Sequence, residues 1–197
     1  MLEEILSLNI YAFLLIFVRA STTFMLMPGI GGLQVNVRAR LLFALALTFL
    51  VTPQLADRLP PLPQSPWALG ALVLGEVFAG TVLGTVTRIL FAAVQVAGTV
   101  ISFISAMANA LIFDPISEQQ SAIVAGFMAT IATLLMFVTN LHHMLIQAMF
   151  DSYGLFEPGV RPVMGDTLEL IARQVAETVR IGVRMASPFL VVSFAYY

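Results

Sequence analysis

Long apolar runs, separated by short groups of charged residues, glycines and prolines, account for most of the chain. The runs cover residues 5–27, 41–55, 67–87, 89–113, 119–150 and 185–197. A helix that crosses a membrane needs about 20 predominantly apolar residues in succession, and several of these runs reach that length. The pattern therefore predicts an all-α, polytopic membrane protein built from long helical hairpins.

Two of the runs are shorter than a membrane crossing. Pro53 interrupts the run 41–55, which has about three-quarters of the length needed. The last run has thirteen residues up to Tyr197, and thirteen residues cannot span a bilayer by themselves. We expect either that a longer chain has been cut at this point or that partner subunits complete the helix.

An amphipathic helix is predicted between the last two runs. Asp166 followed by Glu169 resembles a capping box. The apolar residues that follow recur at helical spacing: Leu168, Ile171, Ala172, Val175, Val179 and Val183. On the polar side, Glu169 and Arg173 are four residues apart and Glu177 and Arg180 three, so ion pairs can form along the helix. This helix is expected to lie at an interface or against a partner, and to lead into the final apolar run.

The composition supports a membrane location. Hydrophobic residues make up 59% of the chain and charged residues 10%, with a mean hydropathy of +0.96. Soluble domains carry about 25% charged residues, so lipid or partner subunits must cover much of this apolar surface. The net charge is −2, and no basic run suited to phosphates is present, so nucleic acid is not an expected partner.

Cysteine is absent, which excludes disulfides and thiolate metal sites. The acidic N-terminus has no small-residue cleavage site after it, so we expect no signal peptide.

The arginines give a first indication of orientation. If each apolar run crosses the membrane, two groups of loops alternate between the two sides. The odd-numbered loops hold Arg38, Arg40, Arg88, Arg161, Arg173, Arg180 and Arg184, and the even-numbered loops hold Arg58. The positive-inside rule would then place the odd loops in the cytoplasm and the N-terminus outside.

No catalytic or metal-binding constellation is evident. His142 and His143 are adjacent, so on a helix they point about 100° apart and cannot jointly bind a metal. Gly29, Gly31 and Gly32 lack the Lys and Ser/Thr of a phosphate-binding loop and are interpreted as hinge residues. We therefore predict no enzymatic activity, no metal and no cofactor, because no nucleophile–base pair can be assembled.

Arg19 and Glu76 lie within apolar runs, where a charge is costly and usually faces a partner or an aqueous space. One interpretation is a proton or ion relay. The other is a buried ion pair, or separate contacts to other subunits. The structural interpretation is favoured, because a relay normally needs several titratable groups in series.

Small residues mark the run that contains Glu76. Gly70, Gly75, Gly80 and Gly84 recur along it, and the last two form a GxxxG pair. Small residues allow helix backbones to approach closely in lipid. The pattern indicates tight helix packing and no particular function.

A distinctive segment follows the run 89–113. Its apolar triplet Leu111, Ile112 and Phe113 precedes Asp114 and Pro115, and a polar stretch comes after. Irregular backbone at membrane depth is tolerated inside protein or along an aqueous cavity. Such a loop could close a pore with apolar side chains that exclude water. An ordinary turn between helices is the alternative.

The ordered set of these motifs resembles the FliR/SctT family, a component of the type III protein export gate. The resemblance covers nearly the whole chain and rests on Arg38–Ala39–Arg40, Gly75–Glu76 with Gly80, Gly84 and Arg88, residues 91–98, Phe113–Asp114–Pro115, Asn140 with His142 and His143, and Glu157–Pro158–Gly159. The Arg-containing turn and the Gly–Glu segment are more similar to the flagellar than to the injectisome branch.

Three positions depart from the family pattern. Asn36 replaces a Pro, Leu141 replaces a Gly, and Ser105–Ala106–Met107 replaces a Gln-Met-Gly-like stretch. The family chain also continues beyond the position of Tyr197, through further apolar helix.

The resemblance implies a subunit that assembles with FliP-like and FliQ-like subunits, and with FlhB-like and FlhA-like export proteins. The gate they form would lie in the bacterial inner membrane, in contact with lipid at the centre of the flagellar basal body, and would pass unfolded flagellar proteins. Residues 1–197 would form one export-gate domain, with a FliP-like part over 1–150 and an incomplete FliQ-like part over 151–197.

The resemblance also assigns roles to residues. The family's plug loop would fall near 107–121, with gate residues Met107, Asn109, Leu111, Ile112, Phe113, Asp114 and Pro115. Subunit packing or buried charge would involve Arg19, Glu76, Gly80, Gly84 and Arg88. The alternative function is a self-contained multi-pass solute channel or carrier, which would need an internal repeat with broken helices. No convincing repeat is present.

Overall fold

The computed structural model of the protein describes residues 2–32, 35–105, 123–160 and 164–196, with side chains described within these ranges from residue 10 to residue 195. The described chain forms the helices Leu2–Leu26 (α1), Val37–Leu55 (α2), Pro66–Ile104 (α3), Ile123–Val138 (α4), Leu141–Asp151 (α5) and Met164–Tyr196 (α6). Short 3₁₀ turns, Ala56–Arg58 and Ser152–Gly154, follow α2 and α5. No strand occurs in these ranges, and the predicted all-α fold is confirmed.

Several helices are long and apolar enough to cross a membrane. By length and composition, Val37–Arg58, Pro66–Ile104 and Met164–Ala195 qualify. A fourth candidate is the bent pair Ile123–Val138 and Leu141–Gly154, whose axes differ by 75°. The apolar part of α1, Ile10–Leu26, is shorter. These helices agree with the predicted polytopic membrane protein.

Helix α3 corrects the sequence prediction at Arg88. We predicted separate runs 67–87 and 89–113 with Arg88 in a connecting loop, but the helix continues through Arg88 to Ile104. A single arginine lacks the backbone properties of Gly or Pro that end a helix, and here its side chain lies on the helix surface. Because this loop does not exist, the alternating loop count used for the arginine-based orientation is wrong.

The described part of the apolar run 119–150 forms two helices, although its composition gives no sign of a break. The break between α4 and α5 falls at Thr139 and Asn140, and Asn140 has a φ of 59°. Asn tolerates this left-handed conformation better than most residues, and a residue in it ends an α-helix. The polar Asn therefore breaks an otherwise apolar run.

Helix α6 joins two segments that the sequence analysis treated as neighbours. It begins in the amphipathic segment at Met164 and continues through Pro188 into the last apolar run. That run is thus the C-terminal part of a 33-residue helix, which at 1.5 Å per residue is about 50 Å long.

Contacts divide the chain into two compact units, residues 1–88 with 143–168 and residues 89–142 with 169–197. In the first unit, a buried stripe on α1 at three- and four-residue spacing packs on α2 and α5. Its core consists of Ala20, Phe24, Met27, Ala44 and Met149. A second cluster contains Ile16, Leu55 and Tyr153.

The connection between α1 and α2 is closed by Arg40. Its guanidinium is largely buried and donates hydrogen bonds to the carbonyl of Val35, at 2.7 and 3.0 Å, and to that of Gly32. The Asn36 side chain caps α2 by accepting from the Arg38 amide at 3.0 Å. Gly29 adopts a φ of 79° in the same turn, which favours glycine because it has no Cβ. The predicted hinge is therefore a tightly hydrogen-bonded turn.

The GxxxG pair of α3 packs against α1 within the same chain. A Cβ added at Gly80 would overlap the Thr22 side chain and lie 2.7 Å from the Arg19 carbonyl oxygen. At Gly84 it would lie 2.6 Å from the Cβ of Leu26. At Gly75 it would meet nothing within 4 Å. Gly80 and Gly84 thus lie in a close contact between helices, whereas Gly75 does not.

Glycines also set the helix packing of the second unit. A Cβ added at Gly98 of α3 would lie 2.5 Å from the Cα of Ala125 in α4. One added at Gly182 of α6 would lie 2.7 Å from the Cβ of Val96 in α3. The backbones of α4 and α6 therefore lie against α3 at distances that leave no room for a methyl group.

We predict that Gly80→Ala destabilises the protein by about 1–3 kcal/mol, because the new methyl group meets the α1 backbone. The matched control is Gly75→Ala in the same helix, which is expected to be neutral or stabilising by up to about 1 kcal/mol through helix propensity. Denaturant unfolding of the detergent-solubilised chain measures both. Equal stability of the two variants would contradict the packing described here.

Candidate functional site

A buried ion pair links α1 to α3. The Arg19 Nε lies 2.6 Å from Glu76 Oε2, and Arg19 Nη2 lies 3.1 Å from Glu76 Oε1. Each side chain is 2% exposed. The two parallel N–H···O bonds give the bidentate geometry that makes arginine–carboxylate pairs strong and directional.

The same guanidinium also binds the segment that follows α5. Its Nη1 donates to the Ser152 hydroxyl at 3.2 Å, and its Nη2 donates to the Phe156 carbonyl at 2.8 Å. The Arg19 Cζ lies 3.7 Å from the centroid of the Tyr153 ring, a cation–π contact. One arginine therefore holds α1, α3 and residues 152–156 together.

The helix packing explains how the pair can form. Gly80 is one turn beyond Glu76 on α3, and its lack of a side chain lets α3 approach the α1 backbone. Thr23, one turn beyond Arg19, donates from its hydroxyl to the Arg19 carbonyl at 2.8 Å and also lies 3.3 Å from the Gly80 carbonyl. The ion pair and the GxxxG contact thus belong to one interface.

Two tyrosines complete the surroundings of the pair. Tyr11 and Tyr153 are 5% and 3% exposed. Among the residues that the structure describes, neither phenolic oxygen has a hydrogen-bond partner. The Tyr153 ring nevertheless contributes its face to Arg19, so it interacts through its π system.

The geometry bears on the choice between a relay and a structural pair. A relay needs several titratable groups in series, and among the described residues Glu76 is the one carboxylate that pairs with Arg19. Arg19 donates four hydrogen bonds, two to Glu76 of α3 and one each to Ser152 and Phe156 in the segment that follows α5. The arrangement favours a structural pair, as the sequence analysis did.

The remaining candidate residues lie away from the Arg19–Glu76 pair or outside the described residues. Arg88 lies on the surface of α3, unlike Arg19 and Glu76. The His142 ring lies 5.1 Å from the Phe137 ring at the α4–α5 break. Over the described ranges, no three His, Asp or Glu side chains come together in a possible metal site. The proposed gate residues between Met107 and Pro115 lie outside the described residues, so their role stays a prediction.

Sequence reasoning missed the residues that complete the Arg19 environment. Ser152, Tyr153 and Phe156 were not selected, although a small hydroxyl residue next to an aromatic one at the end of an apolar run could have been noted. Their importance comes from a contact across 133 residues between Arg19 and Ser152, which local periodicity does not indicate.

We predict that Glu76→Ala destabilises the protein by about 3–5 kcal/mol, because it leaves the Arg19 charge buried without its counter-ion. The double variant Arg19→Met with Glu76→Met should cost much less than the sum of the single variants Arg19→Met and Glu76→Met, since no charge then stays buried. Unfolding in detergent measures each variant.

The control for this prediction is the exposed pair on α6. Glu169→Ala removes the Arg173 contact, where the side chains are 61% and 79% exposed, and should cost about 0.5 kcal/mol or less. If the destabilisation of the double variant equals the sum of the destabilisations of the two single variants, Arg19 and Glu76 are not energetically coupled.

The chain matches a known protein family along most of its length. Residues 10–197 match the family described as bacterial export proteins, family 1. The chain is 33% identical over 189 residues to the flagellar biosynthetic protein FliR of Caulobacter vibrioides, which covers 95% of this chain and 75% of that protein.

Two further relatives carry the same name. The FliR protein of Bacillus subtilis is 32% identical over 142 residues, covering 72% of this chain and 54% of the relative. That of Escherichia coli is 27% identical over 163 residues, covering 83% and 62%. The chain therefore spans 54% to 75% of the length of these three relatives.

Proposed function

The chain belongs to the bacterial export proteins, family 1, and on that basis we propose that it is a subunit of the flagellar type III protein export gate. The similarity to flagellar biosynthetic proteins along 95% of the chain carries this proposal. The apolar helices agree with a place in the bacterial inner membrane. We propose no catalytic role, since an export gate provides a path and needs no reaction centre.

In this proposal the chain works with FliP-like and FliQ-like subunits, and with FlhB-like and FlhA-like export proteins. Its surface supports such an assembly, because many large apolar side chains are exposed on the isolated chain. On α2, Leu42 is 67%, Phe49 71% and Leu50 65% exposed. Apolar surface of this extent must be covered by lipid or by neighbouring subunits.

The division into a FliP-like part over 1–150 and an incomplete FliQ-like part over 151–197 belongs to the same proposal. It rests on resemblance along the sequence. The two compact units described above rest on contacts, and each unit combines segments that are distant in sequence.

The proposed gate is the segment Met107–Pro115, which lies between α3 and α4 along the chain. Its triplet Leu111, Ile112 and Phe113 would close the export path, since apolar side chains at a constriction exclude water and ions. Unfolded export substrates would displace it. Support comes from the sequence of the triplet and from its position between two apolar helices, α3 and α4.

A solute carrier is the second candidate function, and the break at Asn140 is the observation that favours it. Carriers often place broken helices at their substrate site, and α4 and α5 form such a bent pair. The carrier fold would also require a corresponding break in a second repeat. The family assignment favours the export gate.

We expect the chain extracted from native membranes in mild detergent to be part of a complex of several different subunits. Native mass spectrometry measures this, and the chain reconstituted alone in liposomes should transport no small solute. Recovery of a free chain that transports a specific solute would support the carrier and contradict the export gate.

We predict that replacing Leu111, Ile112 and Phe113 together with Ser makes the inner membrane permeable to ions, because the water-excluding seal is lost. A dye sensitive to membrane potential measures the leak in cells that produce the variant. The control replaces Ser117 and Ser121, in the polar stretch that follows the gate segment, with Gly, which leaves the apolar triplet intact. Normal secretion without a leak in the triple variant would show that the plug assignment is wrong.

A further inference from the structure

The charged residues of α6 between Glu169 and Arg184 share one side of the helix. Successive residues of an α-helix are rotated by about 100°, so positions separated by four, eight, eleven and fifteen residues fall within an arc of about 80°. The members of this charged face are Glu169, Arg173, Glu177, Arg180 and Arg184. The face runs along about four turns of the helix.

The opposite side of α6 packs inside its own unit. Thr178 and Ala186 are 3% and 0% exposed. Gly182 lies between them on the same side and contacts Ala93 and Val96 of α3. The charged face therefore points away from the unit, and nothing within the described part of the unit covers it.

The exposed apolar side of α6, which includes Leu168 and Val175 at 66% and 44% exposure, has a seam that lies next to the charged face. The seam consists of Ala172, Ala176, Val179 and Val183, which are exposed and separated by four, three and four residues. Val179 is 46% and Val183 42% exposed. A seam with this spacing is typical of a helix that pairs with another helix, with small and β-branched residues in the contact.

Glu169 borders this seam at its N-terminal end, and two arginines border it farther along at the spacing of the repeat. Arg173 and Arg180 are seven residues apart and directly follow Ala172 and Val179. In paired helices, charged residues at such flanking positions select a partner of opposite charge. The seam and its border together indicate an acidic partner helix.

The ion pairs within α6 leave a positive excess on the charged face. Glu169 pairs with Arg173 and Glu177 with Arg180, and all four side chains are at least 45% exposed. Exposed pairs of this kind are weak and can exchange partners. Arg184 has no ion pair among the described residues. The face thus carries a net charge of +1, from three arginines and two glutamates.

Hydrocarbon cannot cover a row of five ionic side chains, because each charge would lose its hydration without compensation. The helix nevertheless continues directly into the apolar segment that begins at Met185. The charged face must therefore lie in water or against a protein surface. The helix-pairing spacing of the seam, with Arg173 and Arg180 at flanking positions, favours the protein surface.

We propose that the charged face of α6 and its seam form a docking surface for a helix of another subunit. That helix carries an apolar seam bordered by Asp or Glu at seven-residue spacing. Its carboxylates pair with Arg173 and Arg180, and a further one reaches Arg184. This inference rests on the proposed function in that it requires a multi-subunit assembly.

Because residues 1–197 contain no cysteine, a thiol introduced at one position can be labelled specifically in the first experiment. Ala176→Cys is introduced into the full chain, and its reaction with a water-soluble maleimide is timed in the native detergent-extracted complex. Docking should slow the labelling by about tenfold or more relative to the exposed control Arg58→Cys, because a helix covers the seam.

The second experiment inverts the charge pattern and keeps the ion pairs within the helix. The variant Glu169→Arg, Arg173→Glu, Glu177→Arg, Arg180→Glu retains the composition and the spacing of both pairs, so the helix should fold. We expect its recovery in the complex to fall by about tenfold or more, because like charges then face each other. The control Arg58→Glu changes an exposed arginine outside α6 and should be recovered normally.

The outcomes separate the docking surface from the proposed function. A wild-type chain isolated without other subunits contradicts the proposed function. The docking surface alone is contradicted by an intact complex in which the thiol introduced at position 176 reacts as fast as the one introduced at position 58. A disulfide there between two copies of this chain has the same consequence. So does normal recovery of the charge-inverted variant.

Discussion

The first compact unit depends on one buried contact, the bidentate pair between Arg19 of α1 and Glu76 of α3. Removing two charges from water costs several kcal/mol per ion, and the attraction offsets this cost when the geometry is good and further hydrogen bonds are made. The guanidinium meets this condition with Ser152, the Phe156 carbonyl and the Tyr153 ring. The positions of α1, α3 and residues 152–156 are therefore set by a requirement that apolar packing alone would not impose.

Small residues make this contact possible and give the helices their close packing. Gly80 brings the α3 backbone to α1, while Gly98 and Gly182 do the same for α4 and α6 in the second unit. In an environment without a hydrophobic driving force between helices, such close packing is a main source of association. Many other large apolar side chains point outward, as Phe49 and Leu50 do on α2. This arrangement suits a membrane protein of an export family.

Local features were predictable where a single helix contains the whole interaction. The pairs Glu169–Arg173 and Glu177–Arg180 were expected from their spacing and are present at 2.5 and 2.8 Å. Arg88 was wrongly placed in a loop, because hydropathy alone treats a charge as a boundary while the backbone of α3 has no reason to end there. The break at Asn140 was missed for the opposite reason, since one left-handed residue interrupts an apolar run without changing its composition.

The sequence by itself determined that this protein is helical, apolar and related to export proteins, because composition, periodicity and ordered motifs are properties of the chain. It also identified Arg19 and Glu76 as charges that need compensation. Only the tertiary structure decided that they compensate each other across 57 residues, and that Gly80 lies in a contact while Gly75 does not. The physical reason is that helical periodicity fixes which residues share a face, whereas the path of the chain fixes what that face meets.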